Sequence, residues 1–267
     1  TLLLAGFSAF EVLSYRWGVA SIVLIVFGWL SGCNFRLAGK DWGVVFLLSL
    51  LRAVTSFSLI IAYQNIASGV ASTIHFMYPL AVALAMMFFF REKKSLLVIL
   101  AVLMSLLGAA LLSLGELEAK SGNTMVGLVA ACVSVFSYAG YIVGVRTTRV
   151  VQINSTALTC YVMGLGTIFY LIGAYCTSGL QLVSDGYTWL IILGLALPAT
   201  AISNITLVQA IKYAGPTLTS ILGAMEPLTA VVIGVFVFKE LFTVNSAVGI
   251  ILILLAVSIV VFRRQKS

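Results

Sequence analysis

A membrane-length apolar segment with a proline near its middle occurs twice in this chain. The first copy runs from Ala67 to Lys93 and contains Pro79, and the second covers residues 215–241 and contains Pro227. Without a gap, both copies also match in serine, methionine, leucine, phenylalanine and glutamate at equivalent positions. Such a long apolar segment, repeated with its proline in register, indicates an internal duplication within a membrane protein.

The composition excludes a water-soluble fold. Hydrophobic residues make up 62% of the 267 residues and charged residues only 9%, whereas soluble domains carry about 25% charged residues. A net charge of +7 would suggest nucleic acid as the partner of a soluble protein. In a membrane protein it is typical of basic loops that face anionic lipid. We therefore expect a lipid bilayer, and no nucleic acid, as the partner.

The apolar runs predict an all-α polytopic membrane protein. Each run has about the 20 residues that a helix needs to cross a bilayer. The runs are continuously apolar rather than alternating, which favours helices over a β-barrel. The nine predicted spans are 10–30, 42–64, 68–90, 95–114, 124–145, 154–177, 187–211, 216–238 and 244–262.

The duplication predicts how these spans are organised. Span 124–145 has no counterpart, because its equivalent would lie before Thr1. We therefore expect two inverted five-helix repeats, of which the first lacks its first helix in this chain. The predicted domains are an N-terminal repeat at 1–120 and a C-terminal repeat at 121–267.

The basic residues predict the orientation. With the C-terminus in the cytoplasm, eleven of the fifteen lysines and arginines lie at cytoplasmic ends, and only Lys120 and Lys239 lie in outer loops. Arg16 and Arg52 lie inside spans. The eleven cytoplasmic residues are Arg36, Lys40, Arg91, Lys93, Lys94, Arg146, Arg149, Lys212, Arg263, Arg264 and Lys266.

Several short motifs carry a resemblance to a known family. They are the run from Ala62 to Ala71, Tyr78-Pro79, Arg91-Glu92-Lys93, Glu226-Pro227 and Lys239-Glu240. In this order, and with their double occurrence, they resemble the drug/metabolite transporter (DMT) superfamily, EamA-like branch.

The resemblance implies a secondary transporter in the inner cell membrane. Such permeases usually export amino acids or other small metabolites, bind them in a central cavity between the halves, and alternate its exposure. The resemblance also leaves open a sugar-phosphate or nucleotide-sugar exchanger, or a multidrug exporter of the same fold. A transporter of this kind is also compatible with proton coupling and with a homodimer.

Charged residues inside spans are candidate functional groups, because their burial in lipid is costly. Arg52 lies in mid-span and shares a helix face with Ser56. Its guanidinium is suited to binding a substrate carboxylate through two parallel hydrogen bonds. The alternatives are a structural salt bridge to Glu226, or a position near the helix end from which Arg52 reaches the interface.

His75 and Pro79 form a second candidate region. Proline has no N–H for the carbonyl four residues back, so we expect Pro79 and Pro227 to kink their helices and leave the carbonyls of His75 and Gly223 without a donor. Tyr78 lies on the face of His75. The imidazole suits proton coupling or stacking on a ligand, although a histidine in a core is often a packing residue.

Glu226 is the other candidate for proton coupling, since a carboxyl group in a low-dielectric site can bind and release a proton. The alternative role of Glu226 is a structural hydrogen bond.

Other polar residues are expected to line the site. Asn204 follows a further predicted kink at Pro198, and Tyr138 belongs to a polar stripe at helical spacing; we expect both to contact substrate. Arg16 is expected to anchor at the interface, to pair with Glu11, or to bind substrate.

The sequence lacks the residues that other classes of function require. One histidine and four dispersed cysteines form no metal motif, and no nucleophile with a base can be assembled. A channel would need a ring of repeated polar residues. We therefore expect no enzyme, metal or cofactor, and a small-molecule substrate.

Overall fold

The computed structural model describes residues 7–92, 96–113, 122–177, 179–223, 225–226, 229 and 243–265. The helices in these residues are α1 (Ala9–Leu30), α2 (Trp42–Asn65), α3 (Ser68–His75), α4 (Tyr78–Phe89), α5 (Leu96–Ser113), α6 (Thr124–Thr147), α7 (Ser155–Thr177), α8 (Gly186–Ala196), α9 (Ser203–Ala214), α10 (Pro216–Leu222) and α11 (Val244–Gln265). A π-helical segment, Leu197–Ile202, joins α8 to α9. Short 3-10 turns at Gly39–Asp41 and Arg149–Gln152 precede α2 and α7.

The helices confirm an all-α membrane protein. Six helical stretches in the described residues are long and apolar enough to cross a bilayer, and Leu96–Gly108 and Ala247–Ile259 are shorter apolar helices. Most of the predicted span 216–238 lies outside the described residues. The six stretches are Ala9–Leu30, Gly39–Asn65, Ser68–Phe89, Thr124–Thr147, Ser155–Thr177 and Gly186–Ala214.

The chain forms two compact units, and each takes segments from both predicted repeats. Unit 1 comprises Thr1–Phe57 and Gly144–Tyr213, and unit 2 comprises Ser58–Val143 and Ala214–Ser267. Helices α2 and α6 each contribute residues to both units. The repeat boundary at residue 120 concerns the sequence duplication and stays a prediction.

In unit 1, α1 and α7 pack closely and run antiparallel. Phe10 lies against Gly173, and Trp17 lies against Gly166. Trp17 is only 1% exposed, and its ring meets Tyr170 edge to face with centroids 5.1 Å apart. A Cβ on Gly166 would collide with the Trp17 ring. Glycine on α7 is therefore what allows the indole ring to lie between the two helices.

The two ends of unit 1 differ in charge. At the end where α1 and α6 finish, loops 31–41 and 148–154 lie together, and the Tyr161 hydroxyl donates to the Phe35 carbonyl. We call this the basic end; it carries Arg36, Lys40, Arg146, Arg149 and Lys212. At the opposite end, Asp185 caps α8 by accepting the Thr188 backbone N–H at 2.7 Å, which lowers the pKa of the Asp185 carboxyl.

In unit 2, close packing again depends on glycine. Gly108 of α5 lies against α11, where an added Cβ would be 2.7 Å from the Gly249 carbonyl oxygen. Helix α4 packs on α10 through Tyr78, whose hydroxyl lies against Gly223. Small residues allow such approach of helix backbones without a side chain between them.

The proline sites differ from the simple kinks that the sequence predicts. At Pro79 the helix is interrupted: α3 ends at His75 and α4 begins at Tyr78, so Pro79 occupies the first turn of a new helix. At Pro198 the backbone widens into the π-helical segment. Pro227 lies outside the described residues.

The prediction that the Gly223 carbonyl lacks a donor is wrong. The Glu226 N–H donates to this carbonyl at 3.0 Å. Helix α10 ends at Leu222, and a tighter turn with i to i+3 spacing supplies the donor from residue 226, because the proline at residue 227 has no N–H to donate.

Candidate functional site

Three of the predicted binding residues meet in unit 1. Arg52 of α2 donates from Nε to Asn204 Oδ1 at 3.1 Å and from Nη1 to Ser56 Oγ at 3.0 Å. Its guanidinium carbon lies 5.8 Å from the centroid of the Trp17 ring. Ser56 lies one turn after Arg52, whereas Asn204 comes from α9, 152 residues away. The guanidinium is therefore held from two helices and an aromatic face.

A second arginine shares this region. Arg16 of α1 donates from Nε to Thr200 Oγ1 at 2.5 Å and from Nη2 to the Ala199 carbonyl at 3.2 Å. The Glu11 carboxylate, the alternative partner predicted for Arg16, accepts the backbone N–H groups of Ser8 and Gln181, both at 2.7 Å. Pairing of Arg16 with Glu11 stays a prediction. Glu11 is occupied as the acidic partner of a capping box at the start of α1.

The π-helical segment connects the two arginines. Thr200 Oγ1 donates to the Leu195 carbonyl at 2.8 Å, five residues back, while it accepts from Arg16. Asn204 Nδ2 donates to the Thr200 carbonyl at 2.7 Å, while its Oδ1 accepts from Arg52. Thr200 and Asn204 are 1% and 3% exposed. Neutral oxygen atoms of the buried residues Thr200 and Asn204, four positions apart, thus bind one guanidinium group each. Such oxygen atoms orient a cation without cancelling its charge. We call Arg16, Arg52, Thr200 and Asn204 the arginine cluster.

Sequence reasoning found Arg52 and Asn204 but did not join Arg16 to them. In the sequence, Thr200 is only one of several polar residues that follow Pro198. The proline is the available signal, since π-type turns are frequent at functional sites and proline disturbs the regular helical bonding.

In unit 2, His75 is held by a serine of α6. The His75 Nδ1 and Ser134 Oγ atoms are 2.9 Å apart, and Ser134 Oγ donates its own hydrogen to the Ala131 carbonyl at 2.6 Å. Because a hydroxyl has one hydrogen, Ser134 accepts from His75, so we assign the proton to Nδ1. In the neutral imidazole, Nε2 is then the atom that can accept a proton.

Two tyrosines surround this imidazole. The His75 ring stacks on Tyr138 with centroids 5.5 Å apart and an interplanar angle of 24°, and it lies 5.4 Å from the ring of Tyr78. The two tyrosine rings meet edge to face at 4.6 Å. Three predicted site residues therefore form one aromatic group in unit 2, which we call the histidine cluster. His75 is 9% exposed, which suits packing as well as a functional role.

Glu226 belongs to unit 2 and is exposed. Its backbone N–H completes the turn after α10. Nearby on α10, Thr219 is buried, and its hydroxyl has no hydrogen-bond partner in the described residues. The roles predicted for Glu226 and His75 in proton coupling remain predictions.

Metal ligands do not cluster in the part of the chain that the structure describes. No group of three or more His, Cys, Asp or Glu residues comes together there.

Comparison with known proteins gives the following similarities. The sequence profile described as the EamA-like transporter family matches residues 1–114 and 125–262. One solved crystal structure has a similar fold, with a TM-score of 0.82 at 18% sequence identity over 100% of this chain and 94% of the other. No curated protein sequence matches this chain significantly.

Proposed function

Because this chain belongs to the EamA-like transporter family of the drug/metabolite transporter superfamily, we propose that it exports amino acids or similar small metabolites by alternating access. Membership makes the chain a multi-pass membrane transporter of this type. The substrate, the direction of transport and the mechanism belong to our proposal.

One observation carries the choice of substrate: two guanidinium groups are held close together, Arg16 by the π-helical segment and Arg52 by Asn204 at the start of α9. A guanidinium is planar and presents donors in a fork that matches a carboxylate. Preparing these groups in advance lowers the cost of ordering them when the substrate binds. A carboxylate at the arginine cluster is the interaction that the geometry supports best.

The histidine cluster supplies a second part of the proposal. We assign Tyr78, Tyr138 and His75 to contact with the apolar or flat part of the substrate, since aromatic faces accept such groups with little loss of conformational freedom. His75 Nε2 and the Glu226 carboxylate are the candidate carriers of a coupling proton.

The test is counterflow in proteoliposomes that contain the purified protein. Radiolabelled amino acids are compared with their amides, in which a neutral carboxamide of similar size replaces the carboxylate. We expect saturable counterflow, and we expect Arg52→Lys to slow the acids about tenfold or more but the amides much less, because lysine keeps the charge but loses the fork. Arg146→Lys is the matched control, since Arg146 donates to the Lys212 carbonyl at the end of unit 1.

Equal losses for acids and amides would show that Arg52 is structural. Flux that neither saturates nor shows counterflow would contradict a transporter mechanism altogether.

A phosphate-bearing substrate is the second candidate, because two nearby cations also suit a doubly charged group. Sugar phosphates in the same vesicles decide between the two. Exchange of a sugar phosphate without amino-acid counterflow would select a sugar-phosphate or nucleotide-sugar exchanger.

We further propose that the basic end of unit 1 faces the cytoplasm, with the C-terminus on the same side of the inner cell membrane. The clustering of five basic residues at this end supports that orientation. A homodimer is compatible with this topology and is tested by the mass of the purified protein in detergent.

A further inference from the structure

A polar cavity of about 720 Å³ opens at the basic end of unit 1. It lies between the loop that joins α1 to α2 and the loop that joins α6 to α7. Three cationic side chains and one carboxylate line it, so its net charge favours an anionic group. The lining includes Asn34, Arg36, Lys40, Asp41, Arg149 and Asn154.

The carboxylate of Asp41 also affects which ligand groups suit this cavity. It is 9% exposed, and its Oδ1 atom is buried without a hydrogen-bond partner in the described residues. A buried carboxylate oxygen without a donor is costly, and native structures rarely leave one unpaired. Asp41 therefore calls for a group that donates hydrogen bonds, and a positively charged donor suits it best.

An apolar groove of about 330 Å³ lies beside the polar cavity in the same unit. Phe35 and Trp42 line the groove, while their sequence neighbours Arg36 and Asp41 line the polar cavity. Ile25 of α1 and Ile168 of α7 form the apolar wall further along. These helices are membrane-span candidates, and tryptophan at the start of a span is typical of the membrane interface.

We propose that unit 1 binds a phospholipid with a phosphoethanolamine headgroup at this place. The phosphate pairs with Arg36 and Arg149, the primary ammonium pairs with the Asp41 carboxylate, and an acyl chain lies in the groove beside Phe35 and Trp42. This ligand supplies together the anion, the cationic donor and the apolar chain that the two cavities require. The site goes beyond the proposed transport function, since the lipid is bound and not carried.

Three lipids with identical acyl chains test the headgroup. Phosphatidylcholine keeps the phosphate, but its quaternary ammonium has no N–H, and phosphatidylglycerol has no ammonium at all. We expect the delipidated protein, measured by native mass spectrometry, to bind phosphatidylethanolamine about tenfold more tightly than either, the difference that one charge-assisted hydrogen bond supplies. Equal binding of the three, or tightest binding of phosphatidylglycerol, would overturn the proposal.

Two ligands without acyl chains test the groove. Glycerophosphoethanolamine and inorganic phosphate are expected to bind at least about a hundredfold more weakly than the lipid, because neither buries apolar surface. Binding of inorganic phosphate as tightly as the lipid would identify a simple anion site instead.

Variants locate the site within the chain. We expect Asp41→Asn to remove the preference for phosphatidylethanolamine over phosphatidylcholine, and Arg149→Gln to weaken the binding of both lipids about tenfold.

Two variants away from the site serve as controls. They are Asp185→Asn, which keeps a good helix cap at the opposite end of unit 1, and Arg91→Gln in unit 2; both should bind lipid like the wild type. An unchanged preference in Asp41→Asn would overturn the role of Asp41. Should that variant fail to fold, the comparison of the three lipids on the wild-type protein decides.

Discussion

At the scale of single residues, Thr200 holds the arginine cluster together. Its hydroxyl accepts from Arg16 and donates to the Leu195 carbonyl. We expect Thr200→Val, which keeps the side-chain shape, to lower the free energy of unfolding by about 1–3 kcal/mol, because the Arg16 guanidinium and the Leu195 carbonyl lose their hydrogen bonds to the Thr200 hydroxyl. Thermal unfolding in detergent measures this effect, and counterflow measures the accompanying loss of transport.

Thr206→Val is the matched control. Thr206 lies on the exposed side of α9, and its hydroxyl only donates to the Ile202 carbonyl, one turn back. We expect wild-type transport from this variant. Equal losses in the two variants would show that the contact between Thr200 and Arg16 contributes nothing specific.

Glu226 and His75 provide the second prediction at this scale. If the carboxylate of Glu226 carries the coupling proton, Glu226→Gln slows transport and flattens its pH dependence, because glutamine cannot bind or release a proton. His75→Gln is measured in parallel over the same range of pH. A pH dependence lost only in the histidine variant assigns the proton to the imidazole, and one retained in both variants removes the proposed coupling.

At the scale of helices, the packing of α1 on α7 depends on Gly166. We expect Gly166→Ala to destabilise the protein by about 1–3 kcal/mol, because the new Cβ would collide with the Trp17 ring and overpacking has a cost of this size. Trp17 also lies under Arg52, so transport should fall together with stability.

Gly194→Ala in α8 is the control, since an added Cβ there meets no atom within 4 Å. Its stability should stay within about 1 kcal/mol of the wild type. If Gly166→Ala unfolds at the wild-type temperature, the α1–α7 interface is looser than the structure indicates.

At the scale of the whole molecule, native cysteines report the orientation in the membrane. Cys33 lies at the basic end of unit 1, and the exposed Cys176 lies near the opposite end of α7. We prepare one variant that retains only Cys33 and one that retains only Cys176. A membrane-impermeant maleimide should label Cys176 in intact cells, and Cys33 only after permeabilisation.

The inverted repeat adds a further pair of labelling sites. Lys94 and Lys239, which lie outside the described residues, follow equivalent apolar segments of the two predicted repeats. Cysteines at these positions should become accessible from opposite sides of the membrane. Labelling of both from one side would contradict the inversion.

The sequence alone determined the class of the protein and much of its helix pattern. The shortage of charge and the membrane-length apolar runs required an all-α membrane protein, because a bilayer leaves a chain few other ways to satisfy its backbone. The proline in register revealed the duplication, and the cost of burying charge in lipid was enough to single out Arg52.

Only the tertiary structure decided which residues meet. Arg16 and Thr200 are 184 residues apart, and their contact depends on a π-helical turn that periodicity does not reveal. The donor for the Gly223 carbonyl likewise followed from how α10 ends. Apolar patterning fixes which segments enter the membrane, whereas the partner of each polar group inside it is set by helix packing and by local departures from regular backbone geometry.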